Sequence, residues 1–361
     1  MQVAFDPQAF LRQRTGGISR AFVELIAAFD SDPGLGVSTI TSFKWINNQY
    51  AADALSSHGF KKTPDWIPRA LAYAAHTMSA SRFQAEADLI HHTHYGRPFL
   101  VPVRIPRVST IHDMIPEILR GKEGFTSNHA AKSAYVSRSD LIVCVSESTR
   151  SDLEYYLGPV RGEVRVVHNP VSSSFRPGLP RCMGLPKEYV LYVGKRAGYK
   201  DFRTLPVAIK RLRDKGLDCS VVVVGPPFSH NERRFLEEMK VYDLFHFRGL
   251  TDQQLRSAYS NALLTVQTST YEGFGLTPIE SMASGTPVVV TNASAMPEIC
   301  GNAAVYYQAS NSEHLAEQME KLLIDERLRS LLVARGLKRS DAFGPEAIAL
   351  RMKEAYEIVL N

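Results

Sequence analysis

Cysteine is scarce in this chain, with four in 361 residues. Cys144, Cys182, Cys219 and Cys300 are widely spaced, with no Cys-x-x-Cys pair and no Cys/His ligand spacing. That argues against a disulfide framework or a zinc module and predicts reduced thiols. No run of about 18 apolar residues occurs, so no membrane-crossing helix is expected. Asp6, Arg12 and Arg14 interrupt the N-terminal stretch, which therefore does not read as a signal peptide. Charge of one sign is also in short supply. Lys and Arg total 42 against 37 Asp and Glu, a net charge of +5. The excess is spread along the chain without a basic run, so no nucleic-acid partner is expected. What the chain does have is 44% hydrophobic and 22% charged residues, the balance of a folded globular protein. Its length exceeds one ordinary core and predicts two domains.

Short apolar runs alternate with helical periodicity throughout, the pattern of an α/β chain built on parallel sheets. Residues 1–5 read as a strand, Gly16-Gly17 as a turn and 19–29 as a helix. Phe22, Leu25, Ile26 and Phe29 fall on one face of that helix. Strands are expected over 37–43, 88–92, 107–111, 140–145 and 164–168. The second half restarts with strands over 189–193, 220–224, 244–247, 262–266, 286–291 and 303–307, and a last helix covers 345–360. A Ser/Pro/Gly-rich stretch separates the halves. The expected division is a first domain over 1–172, a linker over 173–187, a second domain over 188–342 and a crossover helix over 343–361.

Several stretches carry chemistry. Glu272-Gly273-Phe274-Gly275-Leu276-Thr277-Pro278-Ile279-Glu280 places two carboxylates eight positions apart around a glycine turn that opens a helix. Such a turn presents backbone N–H groups to phosphate, and carboxylates accept hydrogen bonds from sugar hydroxyls. Together they suggest a nucleotide sugar. Lys195, Arg196 and Lys200 flank a glycine loop at the tip of a strand, placed for a diphosphate. His112-Asp113 ends another strand, where open α/β sheets bind ligands. His91-His92-Thr93-His94 crowds three histidines into four positions. A strand sends 91 and 92 to opposite faces and no partner lies at ligand spacing, so a pocket wall is expected there rather than a metal. Residues 47–87, with Trp45 just before them, interleave aromatic and basic side chains such as Tyr50, Lys61, Lys62 and Trp66. Core aromatics with solvated charges are the simpler account, and a lipid or glycan surface the alternative.

The run Tyr271-Glu-Gly-Phe-Gly-Leu-Thr-Pro-Ile-Glu280-Ser-Met-Ala-Ser-Gly-Thr-Pro-Val-Val-Val290, with Pro297-Glu298 and Gly301-Asn-Ala-Ala304, resembles the retaining glycosyltransferases of family 4. The resemblance is strong over 188–310 and continues in Gly16-Gly17 and His112-Asp113. It implies the GT-B architecture, two facing Rossmann-like domains with a C-terminal helix crossing back to the N-terminal one. It also implies roles. Glu272 would bind donor-sugar hydroxyls and Glu280 the ribose. The backbone at Phe274, Gly275 and Leu276, with Thr277 beside them, would hold the diphosphate or sugar. Lys195 and Lys200 fall where the family has Arg and Lys on the diphosphate, with Arg196 as the alternative to Lys195. His112 would approach the sugar, Gly16 and Gly17 the phosphate or acceptor, and Phe247-Arg248-Gly249-Leu250 the base.

The implied reaction is transfer of a hexose to a hydroxyl with retained configuration, by front-face attack after domain closure, with no cofactor and no metal. No Asp-x-Asp cluster of the metal-dependent kind accompanies these motifs. Thr110-Ile-His-Asp-Met-Ile-Pro-Glu117 and the 192–200 loop look most like bacterial polysaccharide mannosyltransferases. GDP-mannose is therefore the expected donor and a UDP-hexose the alternative. The acceptor would be a growing glycan or lipid-linked saccharide, and the location cytoplasmic or peripheral at the inner membrane face. A sugar-nucleotide epimerase and a non-catalytic binding subunit are the readings from other classes.

Overall fold

Parallel strands joined by crossover helices can bury both faces of a sheet, which is why the strand sequences here are continuous β-branched runs such as Val221–Val224. The computed structural model describes residues 1–41, 45–46, 48–55, 61–62, 86–96, 104–120 and 129–361. It contains two six-stranded parallel sheets. In the first, β1 (Gln2–Phe5), β2 (Ser38–Thr41), β3 (Leu89–His92), β4 (Arg107–Ile111), β5 (Leu141–Cys144) and β6 (Glu163–Val166) lie in the order β2-β1-β3-β4-β5-β6. In the second, β7 (Val190–Val193), β8 (Val221–Val224), β9 (Phe245–Arg248), β10 (Leu264–Gln267), β11 (Val288–Thr291) and β12 (Ala304–Tyr307) lie in the order β9-β8-β7-β10-β11-β12. This is the mixed α/β, GT-B-type architecture. A separate ladder joins Trp45–Ile46 to Lys61–Lys62; the rest of the aromatic and basic stretch over 47–87 lies largely outside the described residues.

Helix α1 (Gly17–Ser31) follows β1, and α2 (Glu147–Leu157) follows β5 behind a Ser146 cap whose hydroxyl accepts from the Thr149 N–H at 3.0 Å. In the second half α3 (Thr204–Asp214), α4 (His230–Glu238) and α5 (Leu276–Ala283) follow β7, β8 and β10, and α6 (Pro345–Leu360) ends the chain. Among the described residues no helix is long and apolar enough to cross a membrane.

The chain divides into two compact units, 1–170 with 343–361, and 171–342. Residues 173–187 are not a free tether, because they pack on the second unit. Phe175 is buried against Tyr259 with ring centroids 5.6 Å apart. The Ser257 hydroxyl donates to Pro180 O at 2.7 Å, and the Asn261 amide to Leu179 O at 3.0 Å.

The first core is built as the helical period requires. Phe22, Leu25, Ile26 and Phe29 of α1 are all buried, and Ile348, Met352 and Tyr356 of α6 join them. A polar clamp fixes α6 in register. His91 on β3 is fully buried, with Nδ1 2.6 Å from the Tyr356 hydroxyl and Nε2 2.7 Å from the Thr110 hydroxyl. Burial pushes its pKa down to about 3, so the ring is neutral and one nitrogen donates while the other accepts. Tyr356→Phe should destabilise the first unit by about 1–3 kcal/mol, the cost of leaving His91 half-bonded. Tyr356→Ala should cost about 3–5 kcal/mol, because it also opens a cavity. Urea unfolding of the three proteins gives the comparison, and equal midpoints for wild type and the Phe variant would remove the clamp from this account.

Candidate active site

In an open parallel sheet, a crevice forms beyond the strand C-termini where the strand order reverses. The second sheet reverses between β7 and β10. The loop after β7 carries Lys195, Arg196 and Lys200, and the loop after β10 carries Glu272 to Gly275. Lys200 and Glu272, 72 residues apart, meet there with Nζ 2.5 Å from Oε1, both largely buried. The same Oε1 accepts from the side-chain amide of Gln267 at 2.6 Å, and the Glu272 N–H donates to the Ser294 hydroxyl at 2.9 Å. Burial alone would lower the pKa of Lys200. The adjoining Glu272 carboxylate outweighs it and holds the amine above its ordinary value.

The turn into α5 depends on Gly275, the N-cap, at φ +98°. That is left-handed backbone that disfavours a side chain, and a Cβ there would lie 2.3 Å from the Met296 methyl. The helix it opens carries Leu276 and Thr277 in its first turn. Glu280, one turn further, is 6% exposed, and its Oε2 accepts from the Tyr259 hydroxyl at 3.0 Å.

The cations after β7 are not equivalent. Arg196 is committed elsewhere. Its Nε lies 2.7 Å from Glu232 Oε1, its Nη2 donates to Pro227 O at 2.9 Å, and its side chain is only 4% exposed. The guanidinium also stacks over Phe228, 4.9 Å from the ring centre. Glu232 belongs to the capping box of α4, so Arg196 ties the loop to that helix. Lys195 is exposed and makes no ion pair among the described residues. A cavity of about 590 Å³ opens beside these two residues and is also lined by Phe202, Arg203 and Phe235. Neither Lys200 nor Glu272 lines it. Of the strand-end residues, Phe247 packs on Phe228 at 6.1 Å, and Arg248 donates to Gly184 O at 2.9 Å and to Phe247 O at 2.8 Å. Gly249 and Leu250 follow β9 without regular structure.

In the first unit the strand order reverses between β1 and β3. Asp6, directly after β1, is fully buried there. It accepts from the Thr93 N–H at 3.1 Å, the Thr93 hydroxyl at 2.6 Å and the Gln8 amide at 2.5 Å, and lies 2.7 Å from His92 Nδ1. Burial would raise its pKa, but the His92 contact leads the interactions that bring it below the ordinary value. The histidine run is thus a brace rather than a pocket wall at His91 and His92. Sequence reading missed Asp6, although a carboxylate immediately after a first strand was a usable signal.

His112, just past β4, is 8% exposed. Its Nε2 lies 3.0 Å from Thr93 O, and its N–H donates to the Tyr95 hydroxyl at 3.0 Å. Burial takes its pKa to about 4. A carbonyl only accepts, so Nε2 carries the proton and Nδ1 is a lone-pair acceptor. That Nδ1 is buried and has no hydrogen-bond partner. The following turn is held by a buried ion pair, Lys132 Nζ to Glu117 Oε2 at 2.7 Å, with Lys132 also donating to Asp113 O at 2.8 Å.

Gly16 is extended at φ 172° and precedes the first turn of α1. The Ser19 N–H in that turn donates to the Gln13 side chain at 3.0 Å. One Asp-x-Asp does occur, Asp30-Ser31-Asp32, at the far end of α1, away from the strand C-termini. Asp30 accepts from the Thr39 hydroxyl at 2.8 Å and Asp32 from the Gly34 N–H at 2.9 Å.

Two family models cover most of the chain. Residues 15–175 match "Glycosyltransferase Family 4" and residues 184–339 match "Glycosyl transferases group 1". The chain belongs to glycosyltransferase family 4. Among its relatives is the O-antigen chain mannosyltransferase B of Escherichia coli, 24% identical over 348 residues, which cover 90% of this chain and 89% of that protein. Two solved structures share the fold. Sucrose-phosphate synthase of Thermosynechococcus elongatus superposes with a TM-score of 0.77 at 21% identity, over 99% of this chain and 98% of that one. The HepE protein of Anabaena, solved with UDP-glucose, gives a TM-score of 0.77 at 16% identity, over 99% of this chain and 100% of that one.

In this family 4 chain the neutral His112 gives a pH dependence with a definite sign. Its folded pKa is depressed below the unfolded value of 6.5, so its contribution to stability is full above 6.5 and is lost as pH falls towards about 4. Between pH 7 and pH 5 this amounts to about 2 kcal/mol. Urea titrations at the two pH values should show that much less pH dependence in His112→Asn than in wild type.

Proposed function

We propose that this glycosyltransferase moves a mannosyl group from GDP-mannose to a hydroxyl of a growing glycan or lipid-linked saccharide, with retention of configuration and without a metal. The observation that carries the donor site is the Lys200–Glu272 pair in the switch-point crevice of the second sheet. A cation and a carboxylate side by side suit a ligand with a diphosphate next to a polyhydroxylated ring. Lys200 is drawn to the phosphates and Glu272 accepts from the sugar hydroxyls. Lys195, free of an acidic partner among the described residues, joins Lys200 at the diphosphate. Arg196 does not, since Glu232 and the aromatic stack already hold it.

As the glycosidic bond breaks, charge builds on the departing diphosphate. The two lysines and the N–H groups at Gly275 and Leu276 stabilise it without reorganising, electrostatic preorganisation of the oxyanion-hole kind. The acceptor's proton passes to the leaving phosphate oxygen on the same face of the sugar. Glu280, deeper on α5 and bonded to Tyr259, takes the ribose. The backbone at Phe247 to Leu250 borders the base. In the first unit the unpartnered lone pair on His112 Nδ1 suits this neutral imidazole to accept a hydrogen bond from a hydroxyl rather than to stabilise positive charge. The mannosyl donor and the glycan acceptor are supported by the name of the E. coli relative, an O-antigen chain mannosyltransferase.

Lys200→Ala and Glu272→Ala should each lower transfer by about 100-fold or more with folding intact. Near-normal turnover in both would remove them from the chemistry. Thermal shift with GDP and UDP is the donor test. A nucleotide at 100 times its dissociation constant adds about 2.7 kcal/mol, so GDP should raise the melting temperature by several degrees. A shift with UDP and none with GDP would replace the mannosyl donor by a UDP-hexose. Free epimerised donor, or binding without turnover across a panel of acceptors, would move the protein to another class.

A further inference from the structure

Gln267 has no part in the chemistry described so far, yet its side-chain amide bonds the carboxylate of the charged pair. It is the last residue of β10 and 6% exposed. Its side-chain nitrogen donates to Glu272 Oε1 at 2.6 Å and to the Ser269 hydroxyl at 3.3 Å. The orientation of the amide is fixed chemically, because an ionised carboxylate only accepts and the NH₂ end must face it. Lys200 bonds the same Oε1. Both donors therefore converge on one oxygen, and among the described residues no hydrogen bond reaches Oε2.

The two donors differ in what an arriving diphosphate does to them. An ammonium on a flexible stem is attracted to phosphate and can turn towards it. A neutral amide buried at a strand end feels no comparable pull. We infer that Gln267 is a positioning residue for the sugar half of the donor: it keeps Oε1 of Glu272 tied, and Oε2 turned to the sugar hydroxyls, once Lys200 has moved to the diphosphate. The inference rests on the donor site proposed above. It predicts that Gln267 matters for the sugar and not for the nucleotide, a split that a merely structural residue would not produce.

The experiment compares wild type, Gln267→Leu and Gln267→Met with two ligand pairs, GDP against GDP-mannose and UDP against UDP-glucose. Dissociation constants and steady-state kinetics are measured with the pair that wild type binds. The expected result is an unchanged constant for the nucleoside diphosphate, loss of the extra affinity contributed by the sugar, and a fall in kcat/KM of about 10- to 100-fold, the usual effect of losing a hydrogen bond to a charged group. Variants that keep the sugar increment overturn the inference. So do variants that weaken diphosphate and sugar nucleotide equally, and so does loss of the folded state in both, which would make Gln267 a core residue. If wild type binds none of the four ligands, the donor site itself fails and Gln267 falls with it.

Discussion

In each sheet the strand order turns around beside its first strand, and much of the buried polar chemistry of both units depends on that reversal. Where neighbouring crossovers run to opposite sides, the strand ends are left uncovered and open a crevice. In the second unit the reversal separates β7 from β10, and Lys200, Gln267 and Glu272 converge there. In the first it separates β1 from β3, and Asp6, Gln8, His92 and Thr93 fill it. The topology thus builds a polar cluster in each unit, but the two differ in composition.

That difference is physical. The cluster in the first unit is saturated around Asp6, whose carboxylate collects donors from Gln8, His92 and Thr93 while fully buried. It braces the strand ends. The cluster in the second unit is partly exposed, and its cation and carboxylate are held mainly by each other. Such a pair can be separated by a ligand that offers both a better anion and a set of hydroxyls. A buried pair locked by several further hydrogen bonds cannot be opened so cheaply.

The loop after β7 shows how packing divides chemically similar residues. Lys195, Arg196 and Lys200 lie within six positions, and all three are cations at a strand tip. Arg196 is drawn over Phe228 and onto Glu232 of α4. Lys200 is drawn across the crevice to Glu272, and Lys195 stays at the surface. A forked guanidinium can satisfy a carboxylate and a backbone carbonyl together, so Arg196 is the residue suited to a structural clamp, and its sequence neighbours are left for a ligand.

Much of this was legible from the sequence. The alternation of strand and helix, the buried face of α1, the glycine turn into α5 and the Glu-x7-Glu spacing are local patterns, fixed by backbone geometry and side-chain period. The family resemblance rides on the same local motifs. What the sequence could not decide was partnership over long separations. The hydroxyl of Tyr356 on His91, the role of Asp6 and the commitment of Arg196 to Glu232 depend on which buried groups find donors and acceptors once the sheets close. Residues 173–187 likewise read as a linker by composition, but they pack on the second unit because Phe175 finds Tyr259 there. A sequence states which groups are polar. The tertiary structure alone decides which of them are left to bind something else, because that depends on which partners are already taken.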